Sequence, residues 1–136
     1  MLIVDINIWL SAADRRSVRH LECLELLAAH RGQLVSPVPV IAESSWLILD
    51  RLGVQPHHQF LSLVTTGELT PVDLSAAEWS RCVELCDRYQ DLRLDVMDAA
   101  IVAIAERFCV TTIATMNHRD FAVVRPTHCE AFELVP

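Results

Sequence analysis

A chain of 136 residues, 52% hydrophobic and 21% charged, has the size and apolar content of one folded domain spanning residues 1–136 and is too apolar for a disordered one. Its net charge of −7 excludes a protein that coats nucleic acid by bulk attraction, but not one that gathers carboxylates at a single site. No apolar run reaches the roughly 18–20 residues of a membrane span, Met1-Leu2-Ile3-Val4-Asp5 lacks the basic region of a secretory signal, and the five cysteines include no C-x-x-C pair, so a cytoplasmic chain with free thiols and no membrane partner is expected.

Leu2 to Val4 are a short apolar run that ends at Asp5 and read as a buried strand. A helix follows over about Asn7–Ala13. Ser17 is the expected cap of the next helix, which runs to about His30 with Leu21, Leu24, Leu27 and Ala28 on one face, and Gly32 ends it. Leu34-Val35 is a second strand. Pro37 and Pro39 lie at the start of a helix that Gly53 closes. That helix carries Val40, Trp46, Leu47 and Leu49 and is apolar nearly all round, so this chain or a partner must cover it. Pro56 opens a further helix to about Val64. Leu69–Leu74 is a third strand, and Pro71 assigns it to an edge or an irregular position.

Ser75-Ala76-Ala77-Glu78 is a capping box that starts a helix to about Tyr89. Cys82 and Cys86 lie one turn apart on it and read as core residues. Asp95-Val96-Met97-Asp98 is the acidic counterpart, with Asp95 as N-cap and a helix to about Phe108. Thr111–Thr115 is a β-branched strand, His118–Phe121 a short turn or helix, and Phe132–Val135 a last strand. Apolar strands alternating with helices imply an α/β fold whose parallel sheet is covered on both faces.

In such sheets ligands bind outside the carboxyl ends of the strands. Asp5 follows the first strand and Asn117 the fourth. Glu43 lies about two turns into the helix after the second strand, and Asp98 in the first turn of its own helix. Each has a plain reading: Asp5 as a cap, Glu43 as a solvated residue, Asp98 as the far half of a capping box. Their neighbours weigh against it. Asp5 sits among Val4, Ile6, Ile8 and Trp9, and Asp98 among Met97, Ala99 and Ala100, where an unpaired carboxylate is costly. A cation removes the repulsion between clustered carboxylates, and hard oxygen donors suit Mg²⁺ or Mn²⁺.

Taken in order, these segments resemble a known family. Asp5-Ile6-Asn7-Ile8-Trp9-Leu10, Val40-Ile41-Ala42-Glu43, Leu94-Asp95-Val96-Met97-Asp98-Ala99-Ala100 and Thr112-Ile113-Ala114-Thr115-Met116-Asn117-His118-Arg119-Asp120-Phe121 resemble the four motifs of PIN-domain ribonucleases of the VapC toxin type. The resemblance covers nearly the whole chain. It implies a three-layer α/β/α sandwich with a central parallel sheet and Mg²⁺- or Mn²⁺-dependent endoribonuclease activity on structured RNA such as transfer or ribosomal RNA. It also implies inhibition of translation, a cognate VapB-like antitoxin, a homodimer and higher-order assembly with the antitoxin. Asp5, Glu43 and Asp98 are the implied metal ligands, with Asn117 as a fourth catalytic position.

The chain departs from the family at Asn117, where an Asp is usual. An amide oxygen still ligates a cation but brings no charge, so a second metal binds more weakly. Asp120, one turn on, is a candidate auxiliary carboxylate, with a surface or capping role as its plain reading. Arg119, beside the fourth motif, is a candidate contact for RNA phosphate, as is Arg107 with less support, and His118 and the pair His57-His58 read as surface residues. The region of Trp9 and Leu21 to Leu27 is a candidate groove for the antitoxin. Trp46 and Trp79 belong to the core or to a dimer face. A non-catalytic PIN-like binding module stays open because of Asn117. A receiver domain is disfavoured because all 11 basic residues are Arg, leaving no Lys for the cleft, and a nucleotide-binding domain because no Gly-rich phosphate loop occurs.

Overall fold

The computed structural model describes residues 1–136. Five strands, β1 (Leu2–Val4), β2 (Leu34–Pro37), β3 (Leu69–Val72), β4 (Thr112–Ala114) and β5 (Glu133–Val135), form one sheet in the order β3-β2-β1-β4-β5. Every pairing is parallel. Seven α-helices connect them: α1 (Ile6–Ala13), α2 (His20–Ala29), α3 (Val38–Leu52), α4 (Val54–Thr65), α5 (Ala76–Arg88), α6 (Val96–Phe108) and α7 (His118–Phe121). No helix is long and apolar enough to cross a membrane.

Side chains alternate across the sheet as a pleated strand requires. Ile3 and Ile113 join a core with α5, α6 and Phe121. Leu2, Val4, Leu34 and Ala114 join a second core with Ile8, Trp9 and Phe60 of α1 and α4. Both faces are thus covered, which is why β1 is apolar throughout, β2 is apolar but for Ser36, and both are wholly buried. A buried relay ties the second layer to the sheet: Trp9 Nε1 donates to Ser36 Oγ at 3.0 Å, and that hydroxyl donates to the Val4 carbonyl at 2.6 Å. In α6 every residue from Ala99 to Ala105 is buried. Truncating its fully buried Ile101 or Ile104 to Ala would cost about 2–5 kcal/mol.

The structure moves some expected boundaries. Ser17 does not cap α2. Its hydroxyl accepts from the Arg19 backbone inside a turn, and the helix starts at His20. Cys23 is its buried residue, while Leu21 and Leu24 are exposed. Pro37 ends β2 and precedes α3, leaving Pro39 in the first turn. A short 3-10 turn, Gln90–Leu92, links α5 towards α6. β3 is an edge strand, as Pro71 required.

Candidate active site at the β1–β4 crevice

The order in which strands are added reverses at β1: β2 and β3 lie on one side and β4 and β5 on the other. The crevice between β1 and β4, beyond their carboxyl ends, is where such a sheet binds ligands. Asp5 leaves β1 there, held by its backbone N–H donating to the Ala114 carbonyl at 2.9 Å. It is the N-cap of α1 and a candidate site residue. Oδ1 accepts from the Ile6 backbone at 2.6 Å, while Oδ2 accepts from Asn7 Nδ2 and Thr115 Oγ1, each at 2.7 Å. The residue is 2% exposed. Burial pushes its carboxyl above the ordinary range against the pull of those hydrogen bonds, and Asp95 adds to the rise.

Asp98 occupies the first turn of α6. Asp95 caps this helix, its Oδ1 accepting from the backbone N–H groups of Met97 and Asp98 at 2.9 and 3.0 Å. The Asp98 carboxylate does not return to the Asp95 backbone, so the cap leaves it free for the crevice. Burial, then repulsion from Asp5, Asp95 and Asp120, pushes it up to about 7, opposed by a hydrogen bond from Asn117. A partly buried carboxyl beside other carboxylates, with one amide hydrogen bond to offset them, is poorly compensated. Oδ1 of Asp98 accepts no hydrogen bond from the protein.

Asn117 lies between β4 and α7, and its Nδ2 donates to Asp98 Oδ2 at 3.2 Å and to Asp120 Oδ2 at 3.0 Å. Asp120 is buried at 7% exposure, against its plain reading as a surface residue. Its Oδ1 accepts from Arg119 Nε at 2.8 Å, and that guanidinium, with help from Asn117, holds the carboxyl below the usual range despite burial. The Arg119 side chain is otherwise 80% exposed. His118 is an exposed residue whose Nε2 lies 3.0 Å from the Thr115 carbonyl.

Glu43 is the least constrained of the set. It is half-buried and takes part in no hydrogen bond or ion pair, and no three Asp, Glu, His or Cys side chains stand together as a ready-made metal cage. Its helix packs against both α1 and α6. Val40, one turn earlier, shares a core cluster with Ile6 and Met97, the neighbours of Asp5 and Asp98. Arg107 is not part of the crevice. It ends α6 and reaches Glu78 Oε1 at 3.4 Å, about 13 Å of helix rise from Asp98.

Sequence reasoning did not single out Asn7 and Thr115 as site residues. Asn7 Oδ1 accepts from the Met116 backbone at 2.9 Å, and Thr115, fully buried, donates to Asp5 while accepting from the Asn117 backbone at 3.0 Å. The available signal was a polar side chain at each strand's carboxyl end. Asp5 and Asp98 bring carboxylate oxygens to this crevice with no cationic side chain bonded to either, a donor type that suits a hard divalent cation.

Comparison with known proteins gives the family of this fold. Residues 2–125 match the family described as PIN domain. Ribonuclease VapC26 of Mycobacterium tuberculosis is 29% identical over 135 residues, 99% of this chain and 100% of the relative. Among solved structures, Mycobacterium tuberculosis VapC20, described as a Sarcin-Ricin loop cleaving toxin, superposes with a TM-score of 0.76 at 16% identity, over 83% of this chain and 87% of the other. VapBC2 from Rickettsia felis, bound to a DNA fragment from its promoter, gives 0.67 at 20% identity over 98% and 96%. The chain belongs to the PIN-domain family and, within it, resembles the VapC proteins.

Proposed function

We propose that this chain is the toxin of a type II toxin–antitoxin pair, an endoribonuclease that cuts structured RNA, such as transfer or ribosomal RNA, with Mg²⁺ or Mn²⁺ and thereby blocks translation in the cytoplasm. The family match and the full-length ribonuclease relative support it. The observation that carries it is the meeting of Asp5, Asp98, Asn117 and Asp120 at one crevice, with Asp98 raised to about 7 by burial and by its acidic neighbours.

Asp5, Asp98 and Glu43 are the residues that would hold the cation. A bound divalent cation supplies an acidified water near neutral pH and neutralises phosphate charge. Thr115 and Asn7 hold the Asp5 carboxylate in place. Asn117 orients Asp98. Arg119, anchored to Asp120 through Nε, keeps its terminal nitrogens for an RNA phosphate, where a planar guanidinium pairs well. An acidic, metal-based site favours a hydrolytic cut over attack by the RNA's own 2′-hydroxyl.

The whole chain, residues 1–136, acts as one domain. For the VapB-like antitoxin we favour the apolar groove of about 300 Å³ between α1, α2 and α4, lined by Trp9, Leu24, Leu27, Phe60 and Leu63. The exposed Trp46 and Leu49 of α3 and Trp79 of α5 are the surfaces we assign to a homodimer and its higher-order assembly with antitoxin.

The test is incubation of the purified chain with total RNA and Mg²⁺ or Mn²⁺, beside an Asp98→Ala sample and an EDTA sample, with sequencing of the new ends. Discrete cuts confined to wild type with metal support the reading. Cuts that survive EDTA, or ends bearing a 2′,3′-cyclic phosphate, overturn the metal-hydrolytic reading, and no cuts at all leave a binding module.

A further inference from the structure

Asn117 links three carboxylates. Its Nδ2 donates to Asp98 Oδ2 at 3.2 Å and to Asp120 Oδ2 at 3.0 Å. Asp120, held ionised by Arg119, only accepts, so the nitrogen rather than the oxygen faces it, and the other hydrogen goes to Asp98. The Asn117 backbone N–H donates to Thr115 Oγ1 at 3.0 Å, and that hydroxyl donates to Asp5 Oδ2 at 2.7 Å. The second oxygen of Asp120 accepts from Arg119 Nε at 2.8 Å. Both Asp120 oxygens are therefore taken by protein donors.

A divalent ion lying between Asp98 and residue 117 would need oxygens turned towards it. Here an N–H pair points into that space, and the carboxylate behind it already carries a guanidinium. The amide brings no negative charge, Arg119 adds a positive one, and a second cation would have to sit about 3.5–4 Å from the first. Repulsion at that spacing needs anionic ligands to offset it.

We propose that the Asn117 amide and the Arg119–Asp120 pair take the place of a second cation, so that this protein uses a single divalent ion on the Asp5–Glu43–Asp98 side of the crevice. The inference rests on the metal-dependent nuclease reading. Asn117 is a positioning residue: it ties up Asp98 Oδ2 and leaves Oδ1 for the ion. Asp120 anchors the amide and is not a metal ligand.

Titration of the purified full chain with Mn²⁺ tests this without reference to activity. Calorimetry counts the ions, and electron paramagnetic resonance distinguishes an isolated Mn²⁺ from an exchange-coupled pair. Wild type is expected to bind one ion with an isolated-ion spectrum. Asn117→Asp is expected to bind two and show the coupled spectrum. Asp120→Asn is expected to keep one ion with its affinity changed by less than about threefold. Two coupled ions in wild type, a single ion in a folded Asn117→Asp, or loss of the ion in a folded Asp120→Asn each overturn the proposal. Should Asn117→Asp fail to fold, wild type and Asp120→Asn decide the matter. A wild type that binds no Mn²⁺ brings down the metal-nuclease reading as well, whereas two ions bring down only the single-ion inference.

Discussion

The starts of α5 and α6 have nearly the same sequence grammar and opposite fates. Ser75 caps α5, and Glu78 three residues on reaches back to the Ser75 backbone at 2.6 Å. Asp95 caps α6, and Asp98 three residues on does not reach back. Against burial that would raise it, the Ser75 hydrogen bonds and Arg107 hold the Glu78 carboxyl below its ordinary value. Asp98 is raised to about 7 by burial and by three acidic neighbours. Asp has one methylene less than Glu. That shorter arm favours a free carboxylate at the third position, and the β1–β4 crevice supplies other acids instead of a cation. A satisfied carboxylate stabilises the fold, and a frustrated one is available for chemistry.

Substitutions at the two positions should separate these roles. The largest expected effect is on activity: Asp98→Ala should slow cleavage of a mapped RNA site by about 100-fold or more, whereas Glu78→Ala should stay within about twofold. Equal losses in the same gel assay would erase the distinction.

Stability should respond with opposite signs. A folded-state value raised from 3.8 to about 7 gives Asp98 a contribution that is fully present below about pH 4 and lost as pH rises through 7. Metal-free Asp98→Asn should therefore be more stable than wild type at pH 8, by about 1–3 kcal/mol after allowing for partial solvent screening. The gain should shrink towards pH 4, and saturating Mg²⁺ should stabilise wild type but not the variant. Glu78, lowered from 4.5, contributes stability that is present above about pH 4.5 and lost as pH falls through its folded value. Glu78→Ala should cost about 1–2 kcal/mol at pH 7, a deficit that narrows in acid. Thermal melts across pH read both, and a common sign would refute the contrast.

Smaller effects sharpen the picture around Asp5 and Asp120. Thr115→Val keeps the shape but removes the donor to Asp5 and the acceptor for the Asn117 backbone. It should lower kcat by about 10-fold with KM little changed. A change confined to KM would count against a positioning role. Arg119→Gln should raise KM about threefold and flatten its salt dependence. A change in kcat alone would argue against a phosphate contact by Arg119.

Much of the fold is legible in the sequence. Apolar runs without alternation identified the buried parallel strands, Pro71 marked the edge, and Ser75 and Asp95 marked two helix starts that the structure reproduces. The start of α2 differs from the expectation because a Ser17 hydroxyl serves a turn as readily as a helix cap, and here it accepts from the Arg19 backbone. Glu78 and Asp98 look alike along the chain, and nothing in their spacing says which one folds back on its own cap.

Local order, which depends on hydrophobic period, caps and turn residues within a few positions, was determined by the sequence itself: the strands, most helices and the family motifs at Asp5, Glu43, Asp98 and Asn117. Tertiary structure decided which polar groups face one another across 100 residues and more, as Thr115 faces Asp5 at a separation of 110. It also decided that Asn117 presents its nitrogen between Asp98 and Asp120, and that Arg107 belongs to Glu78 rather than to the crevice. The physical reason is range. Backbone propensities act over one or two turns of chain, whereas desolvation and Coulomb interactions act through space and take their values only when the sheet has brought distant segments together.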